Sequence, residues 1–133
     1  MTIFSKIIKG EIPSFKIAEN EKFYAFLDIN PLVEGHTLVI PKVEVDKFLD
    51  MPEDYLSEIL VFAKPIAAAI ERVIPCKRCG LSVVGLEVPH AHLHVIPLNN
   101  MNDINFTRLK LSPSNEELKK TQEKIVSALS NQQ

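Results

Sequence analysis

Two cysteines, no long apolar run, no Ser/Gly-rich linker and no surplus of either charge characterise this 133-residue chain, and each scarcity excludes something. Cys76 and Cys79 form a lone Cys-x-x-Cys pair, whereas a structural zinc site takes four ligands, so the pair is at most half of one. A redox pair normally opens a helix that follows a strand. This one follows a helical segment and precedes an apolar strand, which favours reduced, partly exposed thiols in a turn. No apolar stretch approaches the ~20 residues that span a bilayer. The start Met1-Thr2-Ile3-Phe4-Ser5-Lys6 lacks the apolar core and cleavage site of a leader, so no membrane partner and a cytoplasmic location are expected. Fifteen Lys and Arg against 17 Asp and Glu leave a net charge of -2, which removes any bulk attraction to nucleic acid and means that an anionic ligand must be held locally. With 46% hydrophobic residues and neither repeats nor low-complexity tracts, one compact domain over residues 1–133 is expected.

What the chain does have is histidine in a pattern. Three of its four histidines lie in Pro89-His90-Ala91-His92-Leu93-His94-Val95-Ile96-Pro97. A strand has a side-chain period of two, so His90, His92 and His94 project from one face and Ala91, Leu93 and Val95 from the other. Imidazole serves as nucleophile, general acid, general base or metal ligand near neutral pH, so the row points to a phosphate or a metal. In the metal reading, alternate strand residues ligate one zinc and Asp28 or His36 completes the set.

The remaining pattern predicts an α+β fold. Phe4 to Ile8 reads as a short helix ended by Glu11-Ile12-Pro13, and residues 15–18 and 23–27 as a hairpin around the turn Glu19-Asn20-Glu21-Lys22. His36 to Ile40 is β-branched and stops at Pro41. A long helix runs from about Glu53 to Val73 with Leu56, Ile59, Leu60, Ala63, Ala67 and Ile70 on one face, and Pro65 should kink or break it. Strands follow at 81–84 and, directly after Gly85, at about 86–96. Ser114-Asn115-Glu116-Glu117 has capping-box spacing and opens a helix over about 114–130 with Leu118, Ile125, Val126 and Leu129 as its apolar stripe. Strands joined mainly by turns, with helices set apart from them, form an antiparallel sheet.

His90-Ala91-His92-Leu93-His94-Val95-Ile96 resembles the His-φ-His-φ-His-φ-φ signature of the histidine triad, or HIT, family, where φ is apolar. Ile3 to Pro13 is similar to that family's opening segment, Phe26-Leu27-Asp28-Ile29-Asn30-Pro31 to its ribose-binding turn, and Gly35 to Lys42 to its second signature strand, with His36 at the family's remaining histidine. The resemblance covers about residues 3–97 and leaves a C-terminal extension. It implies a HIT-like five-stranded antiparallel sheet with one long helix and a C-terminal helix, paired into a homodimer. It also implies a nucleotide hydrolase or transferase of the phosphoramidase branch that cleaves at the α-phosphate of a nucleoside monophosphate conjugate, with a purine expected. In that chemistry His92 is the nucleophile and forms a covalent nucleotidyl-histidine, its other ring nitrogen held by a backbone carbonyl or similar acceptor. His94 contacts the phosphate, and His90 and His36 give hydrogen-bonded support. Asp28 accepts from the ribose hydroxyls, although the same residue suits an Asx-turn before Pro31. Phe4, Ile8, Phe26, Leu27 and Ile29 line the base pocket, while Gly85, Glu87 and Val88 approach the phosphate.

Three departures from the family pattern are visible. Leu81 to Glu87 passes from strand to strand without the family's Asn-containing loop. Glu87 stands where the phosphoramidase branch usually has Ser or Thr, so it either serves an amine leaving group or is a surface or dimer-contact residue. Thr2, Ser5 and Glu44 stand where some relatives hold zinc with two cysteines and a histidine, so no metal and no cofactor are expected. The alternatives to a phosphoramidase are a non-catalytic purine nucleotide-binding module and a dinucleoside polyphosphate hydrolase.

Overall fold

Alternation within the central strands decides the layering. Phe23, Ala25 and Leu27 point to one face with Val39, Leu93 and Val95, while Tyr24, Phe26, Leu38 and Ile40 point to the other. The computed structural model of the chain describes residues 1–131, so Gln132 and Gln133, the end of the expected 1–133 domain, lie outside the described residues. Its elements are α1 (Ile3–Ile8), β1 (Lys16–Glu19), β2 (Phe23–Leu27), β3 (Thr37–Pro41), α2 (Glu53–Val73), β4 (Arg78–Ser82), β5 (Leu93–Leu98) and α3 (Asn115–Ser130). The strands make one antiparallel sheet in the order β1-β2-β3-β5-β4, which is the α+β architecture that the pattern predicts.

Ile59, Ala63, Ile66, Ala69 and Ile70 of α2 and Leu118, Ile125 and Ala128 of α3 cover the first face. Burying such side chains contributes about 1.5–3 kcal/mol each, so this is where most of the stability resides. Among the described residues α1 is the one helix on the opposite face, through Phe4 and Ile7, which leaves room for a cleft. Pairing of Leu38 with His94 sets the height of the triad on that open face.

Three expectations need correction, and of the kink or break expected at Pro65 the break does not occur. Residues 83–92 form a loop, so the histidine strand begins at Leu93 and not near Leu86. Gly85 turns the chain with φ of 72°, Pro89 has no amide to offer a ladder, and the Ala91 amide leaves the sheet to bond the Val45 carbonyl at 2.6 Å. β4 starts at Arg78 because Arg78, Cys79 and Gly80 pair with Leu98, Pro97 and Ile96, which puts Cys79 on a strand and not in a turn. α2 continues through Pro65 without a break. Pro65 and Val61, whose carbonyl loses its amide partner, are both on the exposed side, where solvent can replace the missing bond. Leu60, expected in the core stripe, is 55% exposed.

Turn chemistry behaves as the sequence suggests in α3, where the Ser114 hydroxyl accepts from the Glu117 amide at 3.1 Å and the Glu117 carboxylate accepts from the Ser114 amide at 2.9 Å. After β5 the chain crosses the end of the sheet. The Leu111 amide donates to the Pro31 carbonyl at 2.9 Å and the Arg108 guanidinium to the Leu32 carbonyl, which straps residues 105–111 against the 28–36 turn.

Gly35 ends that turn with φ of 95°, and a Cβ there would lie 3.1 Å from Ile74 Cγ1. Gly35→Ala is expected to lower the unfolding free energy by about 1–3 kcal/mol, read from the urea midpoint.

Candidate functional site

The 27–36 turn, β3, the 83–92 loop and β5 bring all four histidines together, and each is buried. Their ring nitrogens are spoken for in an order that determines where the protons are. The Leu32 amide donates to His36 Nδ1 at 3.0 Å, so that nitrogen carries no proton and Nε2 does. His36 Nε2–H then donates to His94 Nδ1 at 2.9 Å, which leaves the proton of a neutral His94 on Nε2. His92 Nδ1 lies 2.7 Å from the His90 carbonyl, which can only accept, so Nδ1 is protonated and Nε2 keeps its lone pair. His90 Nε2–H donates to the Pro41 carbonyl at 2.9 Å, and its Nδ1 receives the Thr2 hydroxyl at 2.7 Å.

Burial, reinforced by His94, pushes His36 down to about 3, and burial, reinforced by His92, pushes His94 down to about 4. Burial lowers His90 as well. The relay is thus neutral at ordinary pH, as its hydrogen bonds require. Ring contacts keep it in place: Phe4 meets His92 edge-on at 5.2 Å between centroids and Phe106 meets His94 at 4.8 Å.

A cleft of about 460 Å³ opens beside these rings, a size suited to a small nucleotide-like ligand. His36, His92, His94, Asp28, Phe4, Phe26, Leu27, Ile29, Gly85, Glu87 and Val88 line it, whereas His90 sits behind the loop and supports His92 through its carbonyl. Ile8 is not on the wall. It packs against the α1 core cluster, while Ile7 and Ile12 take wall positions: consecutive helical residues are ~100° apart, and Ile3, Phe4 and Ile7 share the side of α1 that faces the cleft. Ile29 is 57% exposed and forms part of the rim. Asp28 forms the expected Asx-turn, in which Oδ1 accepts from the Asn30 amide at 2.9 Å, and its Oδ2 stands 3.8 Å from His36 Nε2. Burial raises the Asp28 carboxyl above its ordinary value.

Besides Ile7 and Ile12, three residues that act on the imidazoles or on the cleft mouth were not found from sequence. Phe106 and Lys110 belong to the strapped segment after β5, and no local periodicity marks them. Lys110 is the one lysine or arginine among the described residues lining the cleft, and its ammonium pairs with Glu87 at 3.5 Å from the opposite rim. Glu87 therefore lies at the mouth, with its side chain 80% exposed, and not against the imidazoles. Leu32 contributes only its amide, which no side-chain signature reveals.

Asp28, His36 and His94 bring one ligand atom each within 4.8 Å of one another. The Leu32 amide, however, obliges His36 to keep its proton on the nitrogen that faces the group, and that nitrogen is already bonded to His94, so the set does not fit a cation. Thr2, Ser5, Glu44 and His90 also converge, but hydroxyls and a carboxylate stand in place of thiolates, and both His90 ring nitrogens are engaged, so a structural zinc does not fit either. The Cys79 thiol donates to the Ala67 carbonyl at 3.6 Å, and burial pushes it up to about 12. Cys76 is raised too, so neither sulfur has the thiolate character of a redox or metal-binding pair.

Comparison with known proteins agrees with this geometry. The HIT domain family matches residues 9–101. The chain is 44% identical over 96 residues to adenosine 5'-monophosphoramidase HNT1 of Saccharomyces cerevisiae, an alignment covering 71% of this chain and 61% of that protein. It is 36% identical over 132 residues to adenosine 5'-monophosphoramidase hnt1 of Schizosaccharomyces pombe, covering 96% and 97% respectively. Among solved structures, a Hit-like protein from Bartonella henselae superposes with a TM-score of 0.83 at 30% identity, covering 96% of this chain and 95% of that one. With its signature histidines gathered on one sheet face and the family match spanning most of its length, the chain belongs to the HIT family.

Proposed function

We propose that this protein hydrolyses nucleoside phosphoramidates or related nucleotidyl conjugates at the α-phosphate through a nucleotidyl-His92 intermediate. The observation that carries the proposal is the hydrogen bond from His92 Nδ1 to the His90 carbonyl, which leaves the Nε2 lone pair free on a residue lining the cleft. Two relatives named as adenosine 5'-monophosphoramidases support the same substrate class.

In this reading Nε2 of His92 attacks phosphorus, a nitrogen–phosphorus bond forms, and the bond to the amine or oxygen leaving group breaks. Water then attacks the same phosphorus, the bond to His92 breaks, and the nucleoside monophosphate departs. Splitting one displacement into two lowers the barrier that a single attack by water would face. His94 Nε2–H is oriented as a donor to a phosphate oxygen by the Leu32–His36–His94 relay. Asp28 Oδ2 is available to a ribose hydroxyl, since Oδ1 is held in its turn, and Phe4, Phe26, Leu27 and Ile29 offer an apolar wall to a purine. Gly85 and Val88 bring backbone to the phosphate end. Because the relay histidines are neutral, Lys110 supplies the positive charge that a phosphate needs, and it is released from Glu87 to do so. Glu87 in turn limits how strongly Lys110 holds anions.

The paired state is part of the proposal, as is a cytoplasmic location. β4 is a sheet edge, and Leu81, Val83 and Val84 near it and Leu60 and Val61 on α2 are exposed, an apolar edge suited to a second copy of the chain. Sedimentation is expected to give a dimer mass, with Leu81→Lys shifting it toward monomer.

A panel of adenosine phosphoramidates, aminoacyl-adenylates and dinucleoside polyphosphates tests the reaction. His92→Ala should lose at least ~10³-fold in kcat, and quenching wild-type turnover in acid-free denaturant should trap a nucleotide on His92. Lys110→Ala should weaken substrate binding about tenfold, the scale of a charge-assisted bond to phosphate. Binding of adenosine monophosphate without turnover of any panel member would instead indicate a non-catalytic module, and turnover restricted to dinucleoside polyphosphates would change the substrate class.

The neutral relay also predicts a pH effect on stability. With folded values of about 3 for His36 and about 4 for His94 against an ordinary 6.5, the unfolded chain binds more protons across that interval. Stability attributable to these groups is therefore present above about pH 6.5 and is lost as pH falls toward 4. The urea midpoint should decline over that window, and His94→Asn should make the decline shallower.

A further inference from the structure

Glu44 takes no part in the reaction described above, yet it closes a chain of hydrogen bonds that ends on the nucleophile. Its Oε1 accepts from the Ser5 hydroxyl at 2.6 Å and from the Thr2 amide at 2.8 Å, tying the loop after β3 to the first turn of α1 across a separation of some 40 residues. Thr2 Oγ1 caps α1 by accepting from the Ser5 amide at 3.0 Å. The same oxygen stands 2.7 Å from His90 Nδ1. Thr2 Oγ1 also lies 3.1 Å from Ser5 Oγ, but His90 donates Nε2–H to the Pro41 carbonyl, so its Nδ1 must accept, and the single Thr2 hydroxyl proton goes to this shorter contact. The Ser5 hydroxyl proton goes to the carboxylate. His90 then presents its carbonyl to His92 Nδ1 at 2.7 Å. Pro41 at the end of β3 and Val45 in the loop after it hold the His90 ring and the Ala91 amide, so the chain on either side of Glu44 grips the histidine segment at two points.

We propose that Glu44, acting through Thr2, Ser5 and His90, is a positioning residue that holds His92 in its Nδ1–H tautomer with Nε2 ready for attack. Glu44 itself touches no substrate and does not line the cleft. A charge-assisted anchor suits the task because the hydroxyls of Thr2 and Ser5 can otherwise rotate, and a carboxylate that only accepts fixes the direction of the Ser5 proton and the place of the Thr2 amide. The carboxyl is correspondingly held below the ordinary carboxylate range by the Ser5 hydroxyl and the Thr2 amide.

The test uses the full chain and two readouts. The kinetic one rests on the proposed hydrolysis of nucleotidyl conjugates. The other, nitrogen NMR of the His92 ring, reads the tautomer whether or not turnover occurs, so failure of the reaction and failure of this inference are distinguishable. Glu44→Ala and Thr2→Val are expected to reduce kcat roughly five- to tenfold with little change in KM, the scale of losing one hydrogen bond to a charged or buried partner. In both variants the His92 ring signals should move from a single Nδ1–H form toward a mixture. Glu44→Gln, which keeps an acceptor oxygen, and Thr2→Ser, which keeps the hydroxyl, should restore most of the wild-type behaviour. The double variant should lose less than the product of the two single losses, because both interrupt one path. Thermal unfolding accompanies each measurement, and loss of activity in proportion to loss of folded protein, with the His92 signals of the folded fraction unchanged, overturns the proposal. Wild-type kcat and a wild-type His92 tautomer in Glu44→Ala overturn it as well.

Discussion

Four imidazoles buried on one sheet face are tolerable only if each is neutral and each polar nitrogen has a use, since an unpartnered buried polar group costs about 1–3 kcal/mol and an unpaired charge far more. Everything around the triad answers that constraint. The Leu32 amide starts a relay through His36 to His94, the Pro41 carbonyl and Thr2 hydroxyl satisfy His90, and the His90 carbonyl satisfies one side of His92. What remains unspent, Nε2 of His92 and Nε2–H of His94, is a lone pair and a donor belonging to residues that line the cleft. The chemistry available to the site is the remainder left by structural satisfaction of the rings.

The fold explains why that remainder is accessible. α2 and α3 occupy one face of the sheet, so stability is concentrated there and the opposite face is free to hold polar groups under the small cover of α1. Because β5 lies between β3 and β4, His94 sits on a strand paired on both sides, His90 and His92 lie in the loop that leads into it, and His36, just before β3, reaches His94 directly. The strap after β5 then adds what the sheet lacks, an aromatic ring against His94 and a lysine at the cleft mouth.

Elements ruled by local pattern were legible without coordinates. α2 spans the residues its periodicity predicts, the capping box of α3 is formed, and the alternation of His92, Leu93, His94 and Val95 separates site from core. Loop 83–92 carries apolar residues that imitate the period of two of a strand, while the positive φ of Gly85 and the missing amide of Pro89 turn it away from the sheet. Ile8 is expected on the wall only from the family resemblance, and the angle at which α1 docks decides which isoleucine faces the cleft.

The amino-acid sequence by itself determined which residues carry imidazole chemistry, that they alternate with core residues, and that an α+β sheet with a long helix would display them. These follow from side-chain identity and from periods of two and 3.6, which are local properties of the chain. Only the tertiary structure decided where each proton sits, that Lys110 faces Glu87 across the mouth, and that Glu44 is linked through Thr2 to His90. Those relations join residues as many as 88 positions apart, and a hydrogen bond depends on distance and direction in space, which no local pattern encodes.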